Sequence, residues 1–126
     1  MLLDGLDRDR FLRDYWQQRP LLIRHTGPSF QDALDPEELA GLALEADVES
    51  RLVSRTGDSH WRLRHGPFEA GLFATLGERN WTLLVQAVDQ LLPEVEAIKA
   101  HFAFLPAWRI ADVMVSFATD GGGVGP

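Results

Sequence analysis

The sequence WRIADVMVSFATDGGGVGP, residues 108–126, joins an alternating apolar run to a glycine-rich segment. Residues 108–118 are rich in β-branched and aromatic side chains, which predicts a strand with a side-chain period of two. One face of this strand would be apolar and would form the core face: Ala111, Val113, Val115 and Phe117. The other face would mix apolar and small polar side chains: Ile110, Asp112, Met114 and Ser116. A mixed face is typical of a solvated surface or of a pocket wall, and spacing alone favours the solvated surface.

The segment GGGVGP, residues 121–126, lacks the spacing of a phosphate-binding loop. A dinucleotide site requires the pattern GxGxxG, and a P-loop requires Gly-Lys-Ser/Thr at a helix start. Here the glycines alternate as GxGxG and no lysine follows. Glycine permits positive φ angles and a close approach of the backbone, so the segment predicts a flexible connection or sharp turn between strands.

Capping signals upstream predict two helices. Asp7 would cap residues 8–18, and Asp35 with Glu38 would form a capping box at the start of residues 35–47. Other patterns predict helices at residues 69–73 and 93–105. Strands are predicted at residues 21–25, 51–56, 60–65 and 81–88, with a hairpin turn at residues 57–59. Helices that precede a mixture of helices and strands indicate an α+β fold.

Composition narrows the classes of function. Twelve basic and nineteen acidic residues give a net charge of −7, which disfavours nucleic-acid binding and suits a basic protein partner. The chain has no cysteine, which fits a cytoplasmic location, and no apolar run is long enough to cross a membrane. The histidines form no metal-binding motif, and no serine lies in a nucleophile elbow, so no metal ligand or catalytic residue is predicted.

Five stretches together resemble the bacterial ribosomal oxygenases of the JmjC/cupin type. They are SRLVS (50–54), HGPFE (65–69), NWTLLVQAVD (80–89), WRIADVMVSFA (108–118) and GGGVGP (121–126). The resemblance begins near residue 15 and covers nearly the whole chain. It implies a double-stranded β-helix, the cupin/JmjC jelly roll, in an Fe(II)- and 2-oxoglutarate-dependent dioxygenase. The best-known relatives hydroxylate an arginine of a large-subunit ribosomal protein.

By this resemblance, residues 1–126 would be the N-terminal part of the dioxygenase domain, truncated so that its catalytic barrel is incomplete. The iron-binding H-x-D motif would begin directly after Pro126, so this chain alone is expected to bind no cofactor and to be inactive. The whole protein would act on a basic ribosomal protein and form a homodimer. The alternative is a non-catalytic acidic module that binds a basic protein partner.

The resemblance also assigns roles to individual residues. Ser116 would help to hold the carboxylate of 2-oxoglutarate, and Met114 would line the same pocket. Asp112 would lie nearby on the substrate side. Asp120 falls where the loop approaches the substrate, and its carboxylate could meet a guanidinium group.

Overall fold

The computed structural model describes residues 7–24 and 32–125, which form four short helices and a four-stranded sheet. The elements in chain order are α1 (Arg8–Asp14), α2 (Pro36–Leu42), β1 (Ser50–Thr56), β2 (His60–His65), α3 (Ala70–Thr75), β3 (Trp81–Val85), α4 (Pro93–Glu96) and β4 (Val115–Ala118). Three 3₁₀ segments separate the last two strands: Val88–Gln90, Ala97–Phe102 and Ala107–Arg109. The predicted α+β class is confirmed.

Both predicted helix starts are confirmed. The Asp7 side chain accepts a hydrogen bond from the backbone N–H of Asp9 at the start of α1. At the start of α2, Asp35 accepts from the backbone N–H of Glu38, and Glu38 accepts from the backbone N–H of Asp35. This reciprocal box satisfies two backbone donors that the first helical turn leaves free.

The sheet is antiparallel throughout, with the order β2-β1-β3-β4. The predicted hairpin is confirmed, because β1 and β2 pair from Arg51–His65 to Thr56–His60. Paired residues share a face of the sheet, so the register defines two surfaces. The core face carries Leu52, Leu83, Val85, Val115 and Phe117, and the open face carries Arg51, Val53, Leu63, Leu84 and Ser116.

The core face packs against the helices. Leu52, Leu83 and Val85 are fully buried there, together with Leu39 of α2 and Val95 of α4. Val113, Val115 and Phe117 pack against the same cluster. The apolar face predicted for the last strand is therefore the core face over these three residues, although Ala111 is exposed.

Three predicted elements differ from the structure. Within the predicted strand 108–118, only Val115–Ala118 is a strand. The start of the predicted range lies in a 3₁₀ turn, Ala107–Arg109. The predicted strand 81–88 ends at Val85, because Ala87 adopts a left-handed φ of 55° and starts a 3₁₀ turn. The predicted helix 93–105 is α-helical only at Pro93–Glu96 and then continues as a 3₁₀ segment.

The first predicted strand and the first helix end are also different. Residues 21–24 are not a strand, since they pair with none of the described strands, and His25 lies outside the described residues. The α1 helix ends at Asp14, four residues before the end of the predicted range 8–18. The backbone carbonyl of Tyr15 accepts hydrogen bonds from the N–H groups of Gln18 and Arg19, so a tighter turn replaces the helix there.

A buried carboxylate fixes the segment that leads into β4. Asp89 is 5% exposed, and its Oδ2 lies 2.7 Å from Lys99 Nζ. Its Oδ1 accepts a hydrogen bond of 2.9 Å from the backbone N–H of Val113. The hydrogen bond from Lys99, followed by that from Val113, holds the pKa of the Asp89 carboxyl below its ordinary value of 3.8.

Replacing Asp89 is expected to destabilise the fold in a pH-dependent manner. A lowered carboxyl pKa contributes stability above the ordinary value of 3.8, and this contribution disappears as pH falls through the folded pKa. Asp89→Ala should cost about 1–3 kcal/mol at pH 7, because the N–H of Val113 loses its acceptor. Asp89→Asn should cost less, and the difference between Asp89→Asn and wild type should shrink below pH 3.8.

Urea unfolding at pH 7 and at acidic pH measures these differences. Glu96→Gln is the matched control, because Glu96 is the exposed second partner of Lys99 at 3.7 Å. Exposed ion pairs contribute little, so this variant should be close to wild type. An Asp89→Asn defect that stays constant across this pH range would contradict the assignment.

Candidate functional site

The open face of the sheet holds two of the four predicted site residues. Ser116 lies opposite Leu84 of β3, and Leu84 in turn lies opposite Arg51 of β1. Met114 precedes Ser116 by two residues and is 44% exposed. Ser116 is exposed as well, so its hydroxyl can reach a ligand. The sequence period therefore placed Ser116 and Met114 correctly on the side away from the core.

The two predicted aspartates lie in different surroundings. Asp112 is half-buried and its Oδ2 accepts a hydrogen bond of 2.8 Å from Gln86 Nε2, so one carboxylate oxygen is already engaged. Asp120 is exposed beyond the end of β4 and forms an isolated backbone bridge with Arg79. Neither aspartate lines the cavity that Ser116 lines. The structure places Asp120 four residues along the chain from Ser116.

Met114, the residue before β4, lines two cavities. One, of about 310 Å³, lies between α2 and β4 and is lined by Leu39, Met114 and Ser116, among others. The second, of about 500 Å³, lies over the open face. Its walls are mostly apolar: Val53, Trp61, Leu63, Leu84, Met114 and Val124. Both volumes are in the range of small-molecule pockets.

Arg51 is a pocket residue that the sequence reasoning missed. Its side chain lines the 500 Å³ cavity, and its Nη2 lies 3.8 Å from the Sδ of Met114, the residue before β4. The signal was present in the alternation of β1, which places Arg51 and Val53 on one face. The signal could not be used, because the register that puts β1 beside β3 is a long-range property.

The glycine segment forms a defined turn against the start of β3. Thr119 Oγ1 accepts from the backbone N–H of Trp81 at 3.1 Å and donates to its carbonyl at 3.0 Å. The backbone N–H of Gly122 donates to the Thr119 carbonyl at 2.9 Å. A side chain at Gly122 would collide with the Trp81 carbonyl, only 2.5 Å from an added Cβ. The chain passes too close to its neighbour here for any other residue type.

Asn80 and Arg55 support the same turn from the other side. The backbone N–H of Asn80 donates to the Asp120 carbonyl at 2.8 Å, and Arg55 Nη2 donates to Asn80 Oδ1 at 3.2 Å. Gly121 has a φ of 78°, and a Cβ added to it would collide with Asn80 Oδ1. The sequence predicted a flexible connection or turn, and the structure shows a hydrogen-bonded turn.

Beyond this turn, the backbone crosses the ring of Trp61. Cβ atoms built on Gly123 and Gly125 would lie 3.3 Å and 3.8 Å from atoms of the Trp61 ring. Arg55 lies over the same ring, with its guanidinium carbon 5.7 Å from the centroid. The Trp61 ring on β2 therefore packs against the glycine segment, and Trp61, Val124 and Gly125 all line the 500 Å³ cavity.

Within residues 7–24 and 32–125, no three His, Asp or Glu side chains form a group that could hold a metal ion. The helices in these ranges are all too short or too polar to cross a membrane.

Comparison with known proteins identifies relatives of this chain. It is 49% identical over 116 residues to the ribosomal protein uL16 3-hydroxylase of Escherichia coli, covering 92% of this chain and 30% of the relative. It is 40% identical over 115 residues to a probable ribosomal oxygenase of Haemophilus influenzae, covering 91% of this chain and 28% of that protein. No family model matches the chain.

Solved structures agree with the sequence comparison. The structure of YcfD, a ribosomal oxygenase from Escherichia coli, superposes with a TM-score of 0.89 at 47% identity, covering 96% of this chain and 33% of that one. A second structure of YcfD, in complex with cobalt and 2-oxoglutarate, matches with the same values. In sequence and fold the chain is therefore related to oxygenases that bind 2-oxoglutarate. More specifically, the predicted resemblance to bacterial ribosomal oxygenases is confirmed, and the chain spans about a third of the relatives' length.

The glycine turn yields a stability prediction. Gly121→Ala should destabilise the chain by about 1–3 kcal/mol, because alanine resists a positive φ and its Cβ would displace Asn80. Gly41→Ala is the matched control. Gly41 lies in α2 with no heavy atom within 4 Å of an added Cβ, and alanine favours helix.

Thermal unfolding measures both variants, and Gly41→Ala should be as stable as wild type or more so. Equal stability of Gly121→Ala and wild type would show that the turn does not require glycine at this position.

Proposed function

We propose that this chain supplies one wall of the 2-oxoglutarate pocket in a ribosomal oxygenase. The complete enzyme would be an Fe(II)- and 2-oxoglutarate-dependent dioxygenase that hydroxylates an arginine of a large-subunit ribosomal protein in the cytoplasm. The observation that carries the proposal is the match at 47% identity and a TM-score of 0.89 to an oxygenase whose structure contains cobalt and 2-oxoglutarate. The match spans 96% of this chain, so it includes the sheet and its open face.

The described residues fit 2-oxoglutarate better than they fit iron. They contain no group of three potential ligands, so an iron centre would need side chains from outside the described part of the chain. The open face, in contrast, presents the Ser116 hydroxyl beside an apolar wall that includes Met114. Such a hydroxyl can donate a hydrogen bond to a carboxylate. Ser116 would hold the carboxylate of 2-oxoglutarate, and Met114 would pack along its carbon chain.

Asp120 is the better candidate of the two acids for contact with the protein substrate. It is exposed on a turn that is anchored by Asn80 and Thr119, so its position is defined without a ligand. Asp112 is half-buried and one of its carboxylate oxygens accepts a hydrogen bond from Gln86, so only the other oxygen would be available to a substrate. A carboxylate held on a defined turn can form a charge-assisted pair with the guanidinium of a substrate arginine.

The second candidate function is a non-catalytic acidic module that binds a basic protein. The net charge of −7 supports it, because opposite charges speed association with a basic partner. The two functions differ in what they require of Ser116, since only the oxygenase uses its hydroxyl. The same ribosomal partner suits both, and a homodimeric parent would be compatible with either.

Loss of the encoding gene tests the oxygenase function directly. The organism's large-subunit ribosomal proteins are digested and weighed by mass spectrometry, with and without the gene. The proposal predicts that one arginine-containing peptide loses the mass of one oxygen atom in the deletion strain. A gene encoding Ser116→Ala should restore the modification only in part, and one encoding Ser59→Ala should restore it fully. Ser59 lies in the exposed hairpin turn and lines neither cavity.

The 126-residue chain by itself is expected to be inactive. Supplied with Fe(II), 2-oxoglutarate and the purified ribosomal protein, it should form no succinate above the protein-free background, because the described residues supply no iron-binding group. Succinate formation that depends on this chain would contradict the prediction. Salt-sensitive binding of the ribosomal protein, with an unmodified ribosome in the deletion strain and in wild type alike, would favour the acidic module.

A further inference from the structure

Arg55, on β1, holds a positive charge beside the glycine turn without an acidic partner. It is half-buried, and among the described residues no carboxylate oxygen lies within 4.0 Å of its guanidinium. Its Nη2 donates a hydrogen bond of 3.2 Å to Asn80 Oδ1, and its guanidinium carbon lies 5.7 Å from the centroid of the Trp61 ring. Partial burial of a charge is costly unless polar contacts compensate for it. The contacts with Asn80 and Trp61 are therefore the interactions that stabilise Arg55 in this position.

Arg51 shows that the lack of an acidic partner does not by itself distinguish Arg55. Arg51 lies on the same face of β1, is also half-buried, and has its Nη2 at 3.8 Å from the sulfur of Met114. Arg55 differs in what it contacts, because Asn80 belongs to the support of the glycine turn. The role of Arg55 must therefore be sought in that turn.

Asn80 connects Arg55 to the backbone of Asp120. The side chain of Asn80 accepts from Arg55 Nη2, and its carbonyl accepts from the backbone N–H of Arg55 at 2.8 Å. The N–H of Asn80 donates to the Asp120 carbonyl at 2.8 Å. Asn80 also has a φ of 70°, a conformation that a residue other than glycine adopts where surrounding contacts support it. Arg55 thus stabilises the residue that holds Asp120.

The guanidinium of Arg55 also lies directly against the turn, whereas the Asp120 side chain points away from these contacts. A Cβ added to Gly121, the residue after Asp120, would lie 3.1 Å from Arg55 Nη2. Asp120 is exposed and forms no ion pair with a described residue. Its backbone is held while its carboxylate stays accessible. A charged group held in this way loses little conformational freedom when it pairs, and such preorganisation strengthens binding.

We propose that Arg55 is a positioning residue for the protein substrate. Through Asn80 it fixes the turn that carries Asp120, so that the Asp120 carboxylate meets the guanidinium of a substrate arginine in a defined geometry. The inference rests on the proposed function and deepens it, because it assigns part of the substrate affinity to a residue that does not touch the substrate.

The sign of the effect separates positioning from simple electrostatics. Arg55 has the same charge as a substrate arginine, so by charge alone its removal would tighten substrate binding. Loss of the support for Asn80 acts in the opposite direction, because Asp120 must then be ordered when the substrate binds. Weaker binding after the removal of Arg55 is the result that positioning predicts.

The test uses the complete enzyme that the gene encodes and the ribosomal protein whose peptide loses one oxygen atom in the deletion strain. That protein, purified from the deletion strain, is the unmodified ligand. Arg55→Met should raise its dissociation constant about fivefold, because the hydrogen bond to Asn80 is lost. Arg55→Lys should have a smaller effect, since its ammonium group can still donate to Asn80. The KM for 2-oxoglutarate should be unchanged in both variants, which reports that the enzyme is folded.

A double-mutant cycle with Asp120 distinguishes action through Asp120 from a general loss of structure. Asp120→Asn alone should raise the dissociation constant about tenfold, because the ion pair loses one charge. Adding Arg55→Met to Asp120→Asn should then change the dissociation constant little. Arg64→Met is the matched control, because it removes the same charge from β2 on the other face, opposite Leu52. Its dissociation constant should equal the wild-type value.

Hydrogen exchange followed by mass spectrometry reports the order of the turn in the same enzymes. Peptides that include residues 119–125 should exchange faster in Arg55→Met than in wild type, because the N–H of Gly122 and its neighbours lose the support of Asn80. The same peptides should exchange at the wild-type rate in Arg64→Met.

Each outcome decides the inference. Unchanged or tighter binding in Arg55→Met overturns it, and so does a double variant whose loss is the full product of the two single losses. Where Arg55→Met does not fold, the same criteria apply to Arg55→Lys. Wild-type affinity in Asp120→Asn also overturns the inference, because Arg55 then has no carboxylate to position, but the oxygenase function stands. When no ribosomal peptide changes mass in the deletion strain, the proposed function fails and the inference fails with it.

Discussion

The burial of β3 on both of its faces is the constraint on which the rest of the structure depends. Leu83 and Val85 are buried against the helices, and Thr82 and Leu84 are buried on the opposite side. Alternate side chains of a strand point to opposite faces of the sheet, so both neighbouring strands must pair in the correct register for each face to be formed. On β3 these neighbours are β1 and β4. The core and the pocket wall are thus two sides of the same strand. A slip of one residue would exchange them.

Local signals in the sequence predicted those parts of the fold that local interactions determine. The capping box at Asp35 and Glu38 and the hairpin around residues 57–59 involve neighbours in the chain, and both are confirmed. The segment between β3 and β4 was predicted less well. The apolar spacing of this segment fits a helix, but the structure has mainly 3₁₀ turns there. Ala87 adopts a left-handed conformation at the first of these turns, and Asp89 accepts a hydrogen bond from the backbone N–H of Val113. That contact joins residues 24 positions apart, which no local pattern reveals.

The candidate site divides in the same way. The alternation in the last strand was sufficient to place Met114 and Ser116 on the face away from the core. It was not sufficient to find Arg51, which reaches the same surface only because β1 pairs with β3. The glycine segment is intermediate. Its composition predicted a turn. Position 122 requires glycine because the carbonyl of Trp81, a residue 41 positions earlier in the chain, lies too close for a side chain.

The distribution of charge shows why net charge alone is a poor guide to a pocket. A net charge of −7 would by itself repel an anion such as 2-oxoglutarate. Solvent and salt screen the exposed acids over about 10 Å, however, whereas a half-buried guanidinium acts at short range in a less polar environment. The charged side chains that line the 500 Å³ cavity are both cationic, Arg51 and Arg62. An acidic exterior and a cationic cavity wall therefore coexist in the same chain.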